Sequence, residues 1–91
     1  RFLKIHGNRV DVILIENYLT KLGFQCYCGG EDDRLIVANL HPEHSKKIQK
    51  YVIKRFGFHH SVVDVIEVEK VPRNEYGKIL YNDLFKGLLG N

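Results

Sequence analysis

The stretch Phe24-Gln25-Cys26-Tyr27-Cys28-Gly29-Gly30-Glu31-Asp32-Asp33-Arg34-Leu35-Ile36-Val37-Ala38-Asn39-Leu40 reads as two strands and a turn. Phe24 to Cys28 is a strand candidate, Gly29 to Asp33 is a polar, glycine-rich loop, and Arg34 to Leu40 resumes as a strand. The hairpin lies between two segments of helical pattern. Cys26 and Cys28 flank Tyr27, so alternation along a strand puts both thiols on one face. A disulfide across one intervening residue has poor geometry. Both are read as free thiols in a reducing, cytoplasmic setting.

Upstream, Phe2 to Ile5 alternates, His6-Gly7-Asn8 marks a turn, and Arg9-Val10 begins a returning strand. Asp11 stands where a helix N-cap belongs. Val12, Ile15, Leu19 and Leu22 form an apolar stripe with Tyr18 beside it, and Gly23 is the stop. Downstream, Pro42 and Glu43 suit the first turn of a second helix. Its buried face is expected to be Ile48, Tyr51, Val52 and Phe56, with Lys46, Lys47, Lys50 and Lys54 elsewhere and Gly57 at the end. Ser61 to Val71 is rich in Val and Ile and reads as a strand. A loop follows, and then a helix from Tyr81 to Leu89 with Leu84, Phe85 and Leu88 inward. The expected fold is α+β: a small three-stranded sheet with packed helices plus an N-terminal β-hairpin.

Ninety-one residues make one domain, 1–91, with a modest core. No apolar run is long enough to span a membrane. Charges begin at Arg1 and Lys4, so no signal peptide is expected. The absence of an initiator Met suggests a piece of something longer or a processed product. Fourteen basic and eleven acidic residues give a net charge of +3, compatible with a nucleotide or phosphate partner without demanding one.

The segment Val71-Pro72-Arg73-Asn74-Glu75-Tyr76-Gly77-Lys78-Ile79 is the most informative for function. Gly77 lets the main chain turn sharply. Lys78 then carries a mobile ammonium on a long stem, suited to a carboxylate or phosphate. At the other end stands Arg1-Phe2-Leu3-Lys4-Ile5-His6-Gly7-Asn8-Arg9-Val10-Asp11, followed by Ile15-Glu16.

Together the two segments resemble motifs of the C-terminal subdomain of the adenylate-forming (AMP-binding) enzymes: acyl- and aryl-CoA synthetases, nonribosomal peptide adenylation domains and luciferases. The resemblance covers essentially the whole chain. It implies a mobile lid on a larger N-terminal adenylation domain that binds ATP, with Mg2+, and a carboxylic acid. Such a lid serves an ATP-dependent, AMP-forming acid–thiol ligase, first in acyl-adenylate formation and then, after rotation, in thioester formation with CoA or the phosphopantetheine of a carrier protein. Lys78 matches the adenylation lysine, where a cation would stabilise charge shifting between carboxylate and phosphate. Gly77 precedes it in the loop. Gly7 matches the hairpin glycine that approaches the pantetheine, Arg9 the arginine two positions on, and Lys4 a basic position of the same hairpin. The isolated domain is expected to be inactive. His6 departs from a frequent Arg, Ile13-Leu14 from a frequent Gly-Glu pair, and Tyr81 from a frequent Arg. These departures bear on the thioester half-reaction and its acceptor.

Other features read more simply. Asp11 and Glu16 are taken as a helix cap and a surface charge. Cys26, Cys28, His41 and His44 have poor spacing for zinc, and no metal site is assigned. His59-His60 read as exposed junction residues, and the lysines of the second helix as a solvated face. A nucleic-acid-binding module stacking bases on Phe2, Phe24, Tyr27 or Phe58 is the competing class, disfavoured because the aromatics form no RNA-recognition signature. A non-catalytic, lid-like scaffold is the third.

Overall fold

The computed structural model describes residues 1–90. A hairpin of β1 (Phe2–Ile5) and β2 (Asn8–Asp11) leads into α1 (Val12–Lys21). A second hairpin, β3 (Cys26–Glu31) and β4 (Arg34–Asn39), is followed by a 3-10 turn and α2 (Ser45–Phe56). The chain then returns as β5 (Val63–Glu67) and ends in α3 (Tyr81–Leu88). β3, β4 and β5 form one sheet in that order, β3 antiparallel and β5 parallel to the central β4.

β4 explains the layering. Leu35, Ile36, Val37 and Ala38 are all fully buried, as in a strand covered on both faces. Leu35 and Val37 pack with Ile15, Leu19, Ile48 and Val52 of α1 and α2. Ile36 and Ala38 pack with Leu84 and Phe85 of α3. The sheet is thus the middle of three layers. Buried Asn39 fixes the exit from β4: its amide nitrogen donates to His41 O and Ser45 Oγ, and its Oδ1 accepts from His41 N. All three of its side-chain hydrogen bonds are directed at the segment that leads into α2.

Asp11 caps α1 as expected, accepting from Ile13 N at 2.9 Å, and Gly57 ends α2 in the left-handed region at φ 73°. Several expectations are corrected. Residues 29 to 33 are not a loop: β3 runs through Gly29 and Gly30 to Glu31, and the turn is only Asp32-Asp33. A Cβ on Gly29 would lie 2.6 Å from the Phe85 ring, and one on Gly30 would meet the Arg34 carbonyl, so both glycines serve close packing inside the sheet. The same strand begins at Cys26, not Phe24. β5 runs from Val63 to Glu67 rather than from Ser61 to Val71: His60–Val62 form a 3-10 turn, and Glu67 pairs with Asn39, the last residue of β4. Pro42 lies in the 3-10 turn that precedes α2. Leu22 and Tyr51, assigned to apolar stripes, are 45% and 42% exposed. Leu22 is the C-cap of α1, past the last packed turn.

Candidate functional site

The candidate residues fall on two structures. The first is the β1–β2 hairpin. Its turn has positive φ at both His6 (53°) and Gly7 (79°), the type I′ signature that suits a two-residue hairpin. A Cβ on Gly7 would meet nothing within 4 Å, so this tip projects freely. Lys4 and Arg9 are cross-strand partners and therefore share a face. Like charges directly opposite repel; Arg9 turns onto the Phe2 ring, 3.9 Å from its centroid. Arg9 borders two concavities, one of about 320 Å3 with Asp11, Leu14, Phe56 and Phe58, and one of about 330 Å3 with Phe2, Lys4 and Asp32.

The hairpin is tied to the second one. Lys4 N donates to Asp32 Oδ1 at 3.0 Å and His6 N to Asp33 Oδ1 at 2.8 Å. Asp33 N donates back to Lys4 O at 2.7 Å. The turn chosen by Asp32-Asp33 therefore sets the orientation of the Gly7 tip.

The second structure is the segment between β5 and α3. Arg73 and Ile79 pair as an isolated antiparallel bridge, and Leu80 N donates to Pro72 O at 2.9 Å. Inside this bracket Asn74 organises the turn. Its Oδ1 accepts from Tyr76 N at 2.8 Å and Lys78 N at 3.0 Å. Its own N–H donates to Lys78 O and its carbonyl accepts from Gly77 N. Arg73 Nη1 closes the loop on Gly77 O at 2.8 Å. Gly77 has φ 83°, which a side chain would resist. Lys78 is exposed, and its ammonium forms no ion pair among the described residues. Tyr76 is 83% exposed.

Among the described residues no hydrogen bond joins the Lys78 loop to the Gly7 hairpin. Lys4, Gly7 and Arg9 are brought together; Gly77 and Lys78 stand apart from them.

Between the two lies a polar cluster that the sequence reading missed. Glu16 is not a surface charge: its side chain is 16% exposed. Its Oε1 accepts from Cys28 N at 2.9 Å and its Oε2 from the Tyr81 hydroxyl at 2.8 Å. Arg1 lies 3.8 Å from the carboxylate, donates to Cys28 O and stacks 3.7 Å from the Tyr81 ring centroid. Burial, and then the hydrogen bond and charge of Glu16, push the Tyr81 hydroxyl up to about 12. Burial, with Glu16 adding to it, raises the Cys26 thiol to about 12. Cys28 is likewise raised well above its ordinary value, again chiefly by burial. Both thiols are buried, free and held protonated, so they make poor nucleophiles. Glu16 belongs to the N-terminal segment quoted above, but its interior role gave no local signal, because its partners are 12 and 65 residues away.

Among the described residues no three His, Cys, Asp or Glu side chains gather as a metal site would require, and no helix is long and apolar enough to cross a membrane. His41 bonds Gln25 and His44 packs on Phe24. Of the aromatics considered for base stacking, Phe24 is buried and Phe2 is 54% exposed on the first hairpin; both sides of β4 are covered. Comparison with protein-family models, with curated proteins and with solved structures finds no match for this chain.

Proposed function

We propose that this chain is the mobile C-terminal lid of an ATP-dependent, AMP-forming acid–thiol ligase, inactive alone and completed by an N-terminal adenylation domain. The observation that carries the reading is the Lys78 loop. Its main chain is fixed by Asn74 and Arg73, while the ammonium is left without an ion pair among the described residues. A cation delivered on a pre-formed loop lowers a barrier because little ordering remains to be done when charge develops. In this reading Lys78 bridges the acid carboxylate and the ATP phosphate during adenylate formation. The projecting Gly7 tip, with Arg9 and Lys4 beside it, serves thioester formation with CoA or a carrier-protein phosphopantetheine. Mg2+ and ATP are held mainly by the partner domain, in a reducing, cytoplasmic setting that suits two free thiols.

The test uses the polypeptide that carries this chain. ATP–pyrophosphate exchange is measured against a panel of acetate, octanoate, benzoate and amino acids. Lys78→Ala is expected to slow exchange about 10²–10³-fold, with thioester formation from supplied acyl-adenylate preserved. Gly7→Leu should show the opposite division. Equal loss of both half-reactions in Lys78→Ala overturns the assignment.

A further inference from the structure

Tyr76 is the most exposed large apolar residue named in this fold, at 83% against 61% for Leu14 and 54% for Phe2. A lone exposed aromatic is ordinary on a protein surface. Tyr76 differs in what lies beneath it. Its N–H and that of Lys78 are bound by the same oxygen, Asn74 Oδ1, so the two residues leave one fixed turn. The phenol makes no hydrogen bond and no ring contact among the described residues. An aromatic side chain with two rotatable angles on a pre-ordered loop costs little to immobilise, which is the physics of an interface anchor. Tyr76 leaves the same turn as Lys78, two residues away, so a surface that takes the Lys78 ammonium lies within reach of this ring.

We propose that Tyr76 is the positioning residue that seats the loop: its ring buries in an apolar slot beside the acid- and ATP-binding site whenever Lys78 is delivered. This rests on the lid reading above. It acts through Lys78 and only in the adenylate-forming pose.

The experiment compares Tyr76→Ala, Tyr76→Phe and Lys78→Ala in the full polypeptide, with the acid that best supports exchange in the parent. Tyr76→Ala is expected to lower the pyrophosphate-exchange rate about 30-fold, the scale of a lost anchor. Tyr76→Phe should restore it to within about threefold, since the ring rather than the hydroxyl makes the contact. Thioester formation from supplied adenylate and the melting temperature should be unchanged in both. Normal exchange in Tyr76→Ala, with exchange lost in Lys78→Ala, overturns the anchor and leaves the lid reading standing. A Tyr76→Phe rate as low as that of Tyr76→Ala assigns the effect to the hydroxyl and also overturns it. Normal exchange in Lys78→Ala, or background exchange in the parent across the whole panel, overturns the lid reading and the anchor with it.

Discussion

Glu16 shows how one carboxylate can join three parts of a fold. It stands on α1, accepts from the main chain of β3 at Cys28, and accepts from Tyr81 at the start of α3. Arg1 approaches the carboxylate and covers the Tyr81 ring. Removing it would leave the N–H of fully buried Cys28 and the Tyr81 hydroxyl without their acceptor. Unmet buried donors cost about 1–3 kcal/mol. Glu16→Ala is therefore expected to destabilise the chain by about 2–3 kcal/mol by denaturant titration, with Glu16→Gln losing less because the amide oxygen still accepts. An unchanged midpoint in Glu16→Ala would mean that water replaces the carboxylate. The Lys78 loop is the contrasting case at this scale. Its organiser, Asn74, lies within four residues of everything it binds, so a Gly-Lys turn was legible from sequence.

At the scale of elements, the second hairpin marks the limit of local reading. Gly29-Gly30 followed by Glu31-Asp32-Asp33 carries every composition signal of a loop. The structure keeps both glycines in β3, one to admit Phe85 and one to pass the Arg34 carbonyl. The first constraint exists only once α3 folds back onto the sheet; the second arises as soon as β3 and β4 pair. Gly29→Ala is expected to force Phe85 aside and cost about 1–3 kcal/mol, the range for overpacking. Amide hydrogen exchange should quicken in α3 and leave α1 and α2 protected. Uniform acceleration across all three helices would show that α3 does not respond as a separate unit. The helix signals fared better, because they are local: Asp11 caps α1 two residues on, and Gly57 supplies the left-handed stop that a Cβ would resist.

For the molecule as a whole, the buried acids set its response to alkali. Cys26 is raised from 9.0 to about 12, and Tyr81 from 10.0 to about 12. Cys28 is raised in the same direction. The folded state holds these protons more tightly than the unfolded chain does. Their contribution to stability is therefore complete below the unfolded values and is lost as pH rises through the folded ones. The denaturation midpoint should be level between about pH 7 and 9 and fall steadily from about pH 9 towards 12. Cys28→Ala should make that fall shallower, whatever its effect at neutral pH. A wild-type midpoint that is level to pH 11 would contradict the burial of these groups.

The sequence by itself determined what depends on neighbours: the hairpin turn at His6-Gly7, the cap at Asp11, the stop at Gly57, the turn at Gly77-Lys78, and an α+β order of elements. Each is decided by a few bonds along the chain, so the residue types suffice. Only the tertiary structure decided that β3 runs through its glycines, that β4 is covered on both faces, that Glu16 is an interior acceptor, and that Tyr76 is left bare beside Lys78. The coverage of β4 and the burial of Glu16 depend on contacts between segments far apart along the chain, such as Gly29 with Phe85 and Glu16 with Tyr81. Such contacts exist only once helices are packed on both faces of the sheet, and a reading along the chain has no distance with which to measure them.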